Sequence, residues 1–163
     1  MRVCGECRQC CHVFPLPVLD KPAGVWCRLL GPGGCTVHDD GQPEVCRRYS
    51  CYWLDHESLP EESRPDRVGM VVTEGGTIPV GGYQLPVVVI NLAEPDSDGG
   101  PAARAMVADL LAAGMAALLL HGPDMRVLYD RARYPSIGPE DIEAAFKHER
   151  SRDAEELRRL GAV

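Results

Sequence analysis

The sequence predicts an α+β fold: a small cysteine-rich N-terminal segment, residues 1–60, packed on a C-terminal α+β portion, residues 61–163, with a short sheet and two helices. Three observations carry that prediction. All eight cysteines lie between Cys4 and Cys51, and the 112 residues that follow have none. Residues 1–56 hold six Lys or Arg and six Asp or Glu, whereas residues 57–163 hold eleven and eighteen and so supply the whole net charge of −7. Longer apolar patterns are confined to the second part, and Glu57 to Pro65, with its prolines and charges, reads as a connector between the two.

The elements of the second part follow from local chemistry. Val68 to Thr73 reads as a strand, Gly75-Gly76 as a turn and Thr77 to Tyr83 as a short second strand. Leu85 to Leu92 is apolar and rich in β-branched residues, the pattern of a buried strand. Glu94 to Gly100 is a polar loop, and Pro101 suits the first position of a helix. Ala103, Met106, Val107, Leu110 and Leu111 then keep helical spacing, with Gly114 as the stop. Ala116 to Leu120, the turn His121-Gly122-Pro123-Asp124 and Met125 to Tyr129 predict a β-hairpin. Pro139, Glu140 and Asp141 open a last helix with acids at its positive end. Ile142, Phe146, Leu157 and Leu160 give it a partial apolar stripe, and Lys147 to Glu156 a solvated face.

The first part has no comparable pattern. Gly31-Pro32-Gly33-Gly34 is a turn, and Pro15, Pro17 and Pro22 interrupt the chain after the first cysteines. With few aliphatic residues to bury, this segment needs another source of stability, and a metal is the economical one.

Composition narrows the classes. A chain of 163 residues, 45% hydrophobic and 25% charged, is long enough to bury a core and is not a disordered polymer. Its negative charge argues against a general grip on nucleic acid. The N-terminus, Met-Arg-Val-Cys-Gly-Glu-Cys, has no apolar signal region, and Met115 to Leu120 is far too short to span a bilayer. The expectation is a cytoplasmic protein with no membrane partner, in a compartment where cysteines stay reduced and a dense cysteine pattern points to metal.

That pattern is C-x2-C-x2-C-C-x15-C-x7-C-x10-C-x4-C, formed by Cys4, Cys7, Cys10, Cys11, Cys27, Cys35, Cys46 and Cys51. A C-x2-C step lets two thiolates converge on one ion while the backbone turns around it, and Gly5 suits such a turn. If the segment is helical, positions 4, 7 and 11 share a face with 10 beside them. Soft thiolates select zinc, cuprous copper or iron–sulfur clusters. Eight of them suit two four-thiolate centres, or one cluster plus one zinc. Each such centre keeps residual negative charge, which Arg2, Arg8, Arg28, Arg47 and Arg48 are placed in sequence to offset. How the cysteines divide stays open; the adjacent pair Cys10 and Cys11 need not share a centre.

Cys4-x2-Cys7-x2-Cys10-Cys11, Trp26-Cys27, Gly34-Cys35-Thr36-Val37-His38, and Gln42 to Arg47 with Cys51 together resemble the bacterial CxxCxxCC cysteine-cluster family, the YkgJ-like group. That family is described as a zinc- or iron-chelating domain and sometimes as an iron–sulfur oxidoreductase. The resemblance covers residues 4 to 51 and all eight cysteines. This chain departs from the family in having Gln42 where Arg is common and Tyr49-Ser50 where an aromatic-Pro pair is common. The resemblance implies metal chelation by the cysteines and names no substrate.

Other residues carry weaker signals. His12 and His38 adjoin cysteines and are alternative ligands, although with enough cysteines they read as supporting or surface histidines. His56 has no spacing claim, and His121 reads as a solvent-facing turn residue. Trp26, Tyr49, Tyr52 and Trp53 flank the cysteines and are expected to wall the site from water. Asp96, Asp98, Asp124 and Asp130 fall in loops or strand ends, and Asp39-Asp40 in a turn. Phosphate-loop, dinucleotide, G-x-S-x-G and H-E-x-x-H patterns are all missing. The sequence thus leads to a metal-binding protein holding an iron–sulfur centre, [4Fe–4S] in type, with a redox or enzyme-accessory role. The alternative is a structural zinc module used for protein interaction, and a third reading is metal transport or sensing. No catalytic residue is assigned.

Overall fold

The computed structural model describes residues 2–38 and 40–159. It is an α+β protein whose centre is a four-stranded mixed sheet. In chain order the elements are α1 (Gln9–Val13), β1 (Leu30–Gly31), β2 (Gly34–Cys35), α2 (Glu44–Arg48), α3 (Tyr52–Asp55) and α4 (Pro65–Val68). Then come β3 (Met70–Val80), β4 (Tyr83–Leu92), α5 (Pro101–Ala112), β5 (Ala116–His121), β6 (Asp124–Leu128) and α6 (Pro139–Arg159).

The sheet order is β3-β4-β5-β6. The β3/β4 and β5/β6 pairs are antiparallel hairpins, and β4 and β5 run parallel with α5 as their crossover. Period-two alternation gives each strand two faces. Met70, Val72, Val88, Ile90, Ala117 and Leu119 face α5, where Ala103, Met106, Val107 and Leu110 cover them. Ile78, Val80, Leu85, Val87, Ala116 and Leu118 face the other way, onto Ile142 and Phe146 of α6 and onto Tyr134 and Ile137.

The expected turn at Gly75-Gly76 is a correction. Residues 70–80 are one strand, and the register steps there from Glu74↔Val88 to Thr77↔Pro86. Two residues of β3, Gly75 and Gly76, therefore oppose one of β4, Val87, which is a bulge. The extra residue reverses the alternation, so Val71 and Thr73 before it and Ile78 and Val80 after it point to one face. The reversal of direction occurs instead at Gly81-Gly82, with φ of 57° and 83°, the left-handed pair a two-residue hairpin turn requires. The second hairpin forms as expected, with β5 running one residue further to His121. Helix α5 begins at Pro101, and Gly114 at φ 84° follows its end. Asp141 accepts the Gly138 amide at 2.7 Å at the start of α6. Ile142 and Phe146 of its stripe are buried; Leu160 and the side chain of Leu157 lie outside what is described.

The N-terminal segment packs on the sheet through a third apolar cluster, in which Val13, Cys51 and Trp53 meet Val71 and Ala93. The rest of its cohesion is polar. Arg2 stacks on the Trp53 ring at 4.3 Å and donates to the carbonyls of Trp53 and His56 at 3.0 and 3.2 Å and of Glu57 at 3.0 Å, and also to that of Leu59. Trp53 Nε1 donates to the Pro60 carbonyl at 3.2 Å. These bonds hold the chain from Trp53 to Pro60 against the N-terminus, so the connector is a tied loop. Among the described residues, no helix is long and apolar enough to cross a membrane.

Candidate functional site

All eight cysteines are free thiols. Cys4 is exposed, Cys7 and Cys51 are buried, and the other five are half-buried. The helix that sequence spacing allowed across positions 4 to 11 is shorter than that. Cys4 and Cys7 precede α1, in a turn closed by the Cys7 amide on the Cys4 carbonyl at 3.1 Å with Gly5 at φ 56°. Only Cys10 and Cys11 lie on the helix, where successive residues are about 100° apart.

Electrostatic contacts link the thiols in two overlapping sets, joined where Cys10 and Cys11 hydrogen-bond to each other. In the first, the Cys4 thiol lies 3.5 Å from the Cys7 carbonyl, and its hydrogen bonding with the Cys7 side chain holds the Cys7 thiol down to about 7. The same hydrogen bond, with burial and the charges of Cys7 and Cys51, pushes the Cys4 thiol up. Burial raises Cys51, with Cys7 a further contributor. Cys10 is raised by its hydrogen bond with Cys11 and by burial, and it also faces Cys11, Cys4 and Cys7. The Tyr49 phenol, raised by burial, lies within electrostatic reach of Cys51 and Cys10.

The second set is joined by backbone contacts. The Cys27 amide donates to the Cys11 carbonyl at 3.0 Å, the Leu30 amide donates to the Cys27 carbonyl at 3.1 Å, and Leu30 pairs with Cys35 across the β1/β2 ribbon. Cys46 sits on α2, with its amide on the Pro43 carbonyl at 2.9 Å. Burial raises its thiol, and Cys11, Cys27 and Cys35 are the thiols that raise it further. The hydrogen bond from Cys10 brings Cys11 down to about 6, against burial, with Arg8 and Lys21 helping.

The cations beside these thiols differ from the expected set. Arg8 donates to the carbonyls of Gly5, Cys7 and Gly33 at 2.5, 2.9 and 3.5 Å, and so links the first cysteine turn to the β1/β2 turn. Lys21 is only 8% exposed, and its ammonium donates to the carbonyls of His12 and Pro22 at 3.0 and 3.2 Å and to that of Phe14. Burial lowers its pKa, opposed by Cys27, Cys11, Cys10 and Cys46. Sequence reasoning missed Lys21. Its one signal was that a chain with fifteen arginines has only two lysines. Arg2 is spent on the Trp53–Leu59 carbonyls, and Arg47 pairs with Glu44 on the surface.

The remaining candidates separate. Tyr49 packs edge-on against Phe14, with its hydroxyl 3.1 Å from that of Thr73, and Trp53 is buried, so both wall the cysteines from the sheet side. Trp26 does not: it is 51% exposed and stacks on His12 at 4.6 Å. Tyr52 stacks instead on His56, whose ring also lies 3.8 Å from the Glu74 carboxylate. His38 is exposed. His121, expected to face solvent, is half-buried, with its Nδ1 buried and without a hydrogen-bond partner. Asp98 pairs with Arg126 at 2.8 Å, and Asp130 caps the amides of Ala132 and Arg133. Asp40 is exposed in its turn, and Asp39 lies outside the described residues.

Between the cysteine segment, the sheet and α6 lies a cavity of about 640 Å³. Cys10, Cys11, Cys27, Cys35 and Cys46 line one side of it, and Thr73, Gly75, Val89 and Asn91 line the sheet side. Phe14, Leu16 and Phe146 make its surroundings mainly apolar. Cys4, Cys7 and Cys51 are not part of its lining.

By chemistry the donor set fits a soft metal: reduced thiols with two nearby cations. Among the described residues, no three His, Cys, Asp or Glu side chains are arranged to hold an ion. Comparison of the chain with protein-family models, with curated proteins and with solved structures finds no match.

Proposed function

We propose that the chain is a metal-binding protein of the cysteine-cluster type, whose thiolates hold an iron–sulfur centre in a redox or enzyme-accessory role. The observation that carries the reading is the concentration of eight free thiols in one short segment, five of them lining one cavity, with Arg8 and Lys21 nearby. The spacing of all eight cysteines, with its resemblance to the CxxCxxCC family, supports it. A bound cluster supplies one-electron chemistry. The chain's own residues hold it through sulfur, offset its charge through Arg8 and Lys21, and shield it through Tyr49 and Trp53.

A structural zinc module is the second reading. The burial of Cys7 and Cys51, 6% and 7% exposed, favours it, since a closed four-thiolate zinc site suits a packed core.

The test is metal content, acid-labile sulfide and visible absorption of the full chain purified without oxygen. Iron, sulfide and a broad visible band are expected, and Cys→Ser changes at Cys4, Cys7, Cys10 or Cys11 should bleach that band in part or whole. Zinc alone in a colourless protein replaces the first reading with the second. Absorption unchanged in all four variants ends the iron–sulfur reading.

A further inference from the structure

We propose that the cavity binds a small uncharged organic molecule with a mainly apolar body and one end that both donates and accepts hydrogen bonds, as a primary amide does. Asn91 reads that polar end. The inference goes beyond the metal-binding reading and does not depend on it.

The cavity exists because one face of the sheet has two covers with a gap between them. On this face Ile142 and Phe146 of α6 pack on Ile78, Leu85 and Leu118. The cysteine segment brings Val13, Cys51 and Trp53 onto Val71. Thr73, Val89 and Asn91 lie in the gap, are only half-buried, and line the space of about 640 Å³. Asn91 pairs with Leu120 near the carboxyl ends of the parallel strands β4 and β5. In open sheets built from parallel strands and crossover helices, ligands bind outside those carboxyl ends. A volume of this size suits a small organic molecule.

The chemistry of the wall selects the ligand. Phe14, Leu16, Leu19 and Phe146 supply apolar surface. The thiols add only weak hydrogen-bonding groups. Lys21 and Arg150 are the lysine and arginine of the described wall, and neither offers a free cation inside it. Lys21 already gives its ammonium to three backbone carbonyls. Arg150 is exposed, as is Glu74, which borders the same cavity with the opposite charge. An anion therefore has no dedicated partner. The carboxamide of Asn91 is different: it makes no hydrogen bond among the described residues. Alternation along β4 puts it on the cavity face with Val87 and Val89. A carboxamide half-buried among apolar side chains has both a donor and an acceptor to satisfy. A ligand that presents one of each satisfies both.

The experiment is calorimetric titration of the reduced full chain, as purified, with 4-phenylbutanamide at up to millimolar concentration. Two compounds serve as comparisons. One is 4-phenylbutanoate, which is charged. The other is N,N-dimethyl-4-phenylbutanamide, which keeps the acceptor and lacks the donor. The expected result is one primary amide bound per chain, several-fold more tightly than either comparison. N91L has nearly the same shape as the native residue and should bind the two amides alike. V89F fills the cavity and should weaken all binding. V45W should do the same from an exposed position of the wall, and it serves where V89F does not fold. No binding of the primary amide overturns the proposal. So does binding that appears only after chelation, because the space then belongs to a metal. Equal affinity for the three compounds, or a preference unchanged in N91L, overturns the ligand class and the role of Asn91. Binding unaltered by V89F and V45W places the probe elsewhere and overturns the site. Absence of metal from the purified chain ends the metal-binding reading alone and leaves these readouts intact.

Discussion

Lys21 places an ammonium among three backbone carbonyls and four thiols, in a position only 8% exposed. The carbonyls of His12, Phe14 and Pro22 belong to a stretch broken by prolines, with little secondary structure to satisfy them. One cation therefore does for this loop what a ladder of amides does for a strand. K21M keeps a similar stem and removes the donor, leaving three acceptors to find other partners. It should cost about 1–3 kcal/mol, the usual penalty for buried polar groups left without a partner. Urea unfolding of the metal-free and metal-loaded chains checks this, with a loss expected in both. A loss seen only with metal bound would mean that Lys21 acts through the thiolates and not through the carbonyls. Arg8, by contrast, was visible in sequence as a basic residue between cysteines, and its contacts match that position.

The element that most affects the site is β3. Its bulge at Gly75-Gly76 turns Val71 and Thr73 toward the cysteine segment while keeping Ile78 and Val80 on α6. A Cβ at Gly75 meets Val87 Cγ2 at 2.8 Å and the Val87 carbonyl at 3.1 Å, so the strands approach too closely for any side chain. G75A is therefore expected to destabilise the protein by about 1–3 kcal/mol, as overpacking of a filled core does. G33A, with nothing within 4 Å of the added methyl, should be close to neutral. Equilibrium unfolding of the two variants side by side tests the contrast, and equal stabilities would count against the bulge packing. Two glycines between apolar runs carry the same local signal for a turn as for a bulge. Only the pairing with Val87 and Val88, more than ten residues away, distinguishes them. The α5 helix and the β5/β6 hairpin needed no such partner, because proline, glycine and apolar spacing mark their ends within a few residues.

At the scale of the molecule, stability comes from two unlike sources. The two large apolar clusters on the faces of the sheet contain no cysteine. The N-terminal segment adds a small third cluster and is otherwise tied by the hydrogen bonds of Arg2 and Lys21. If metal closes the thiol groups, its removal should act unevenly. Chelation is expected to speed amide hydrogen exchange in α1, the β1/β2 ribbon and α2, and to leave β4 and β5 protected. Exchange read by mass spectrometry before and after chelation checks this. Uniform loss of protection would mean that the sheet also depends on the metal, and no change would mean that the thiols contribute nothing to the fold.

The amino-acid sequence by itself determined the chemistry available: eight thiols in one short stretch too poor in aliphatic residues to build its own core, followed by an α+β pattern with an acidic excess. Those properties are local, written in residue type and in spacings of a few positions. The tertiary structure decided which thiol lies near which, because Cys7 and Cys51, or Cys11 and Cys46, are separated by more than thirty residues whose path no local preference specifies. It also decided that Lys21 is buried, that Trp26 is not, and that a cavity opens beside Cys10, Cys11, Cys27, Cys35 and Cys46. Burial and enclosure depend on what the rest of the chain brings alongside, and that is settled only when the segment closes on the sheet.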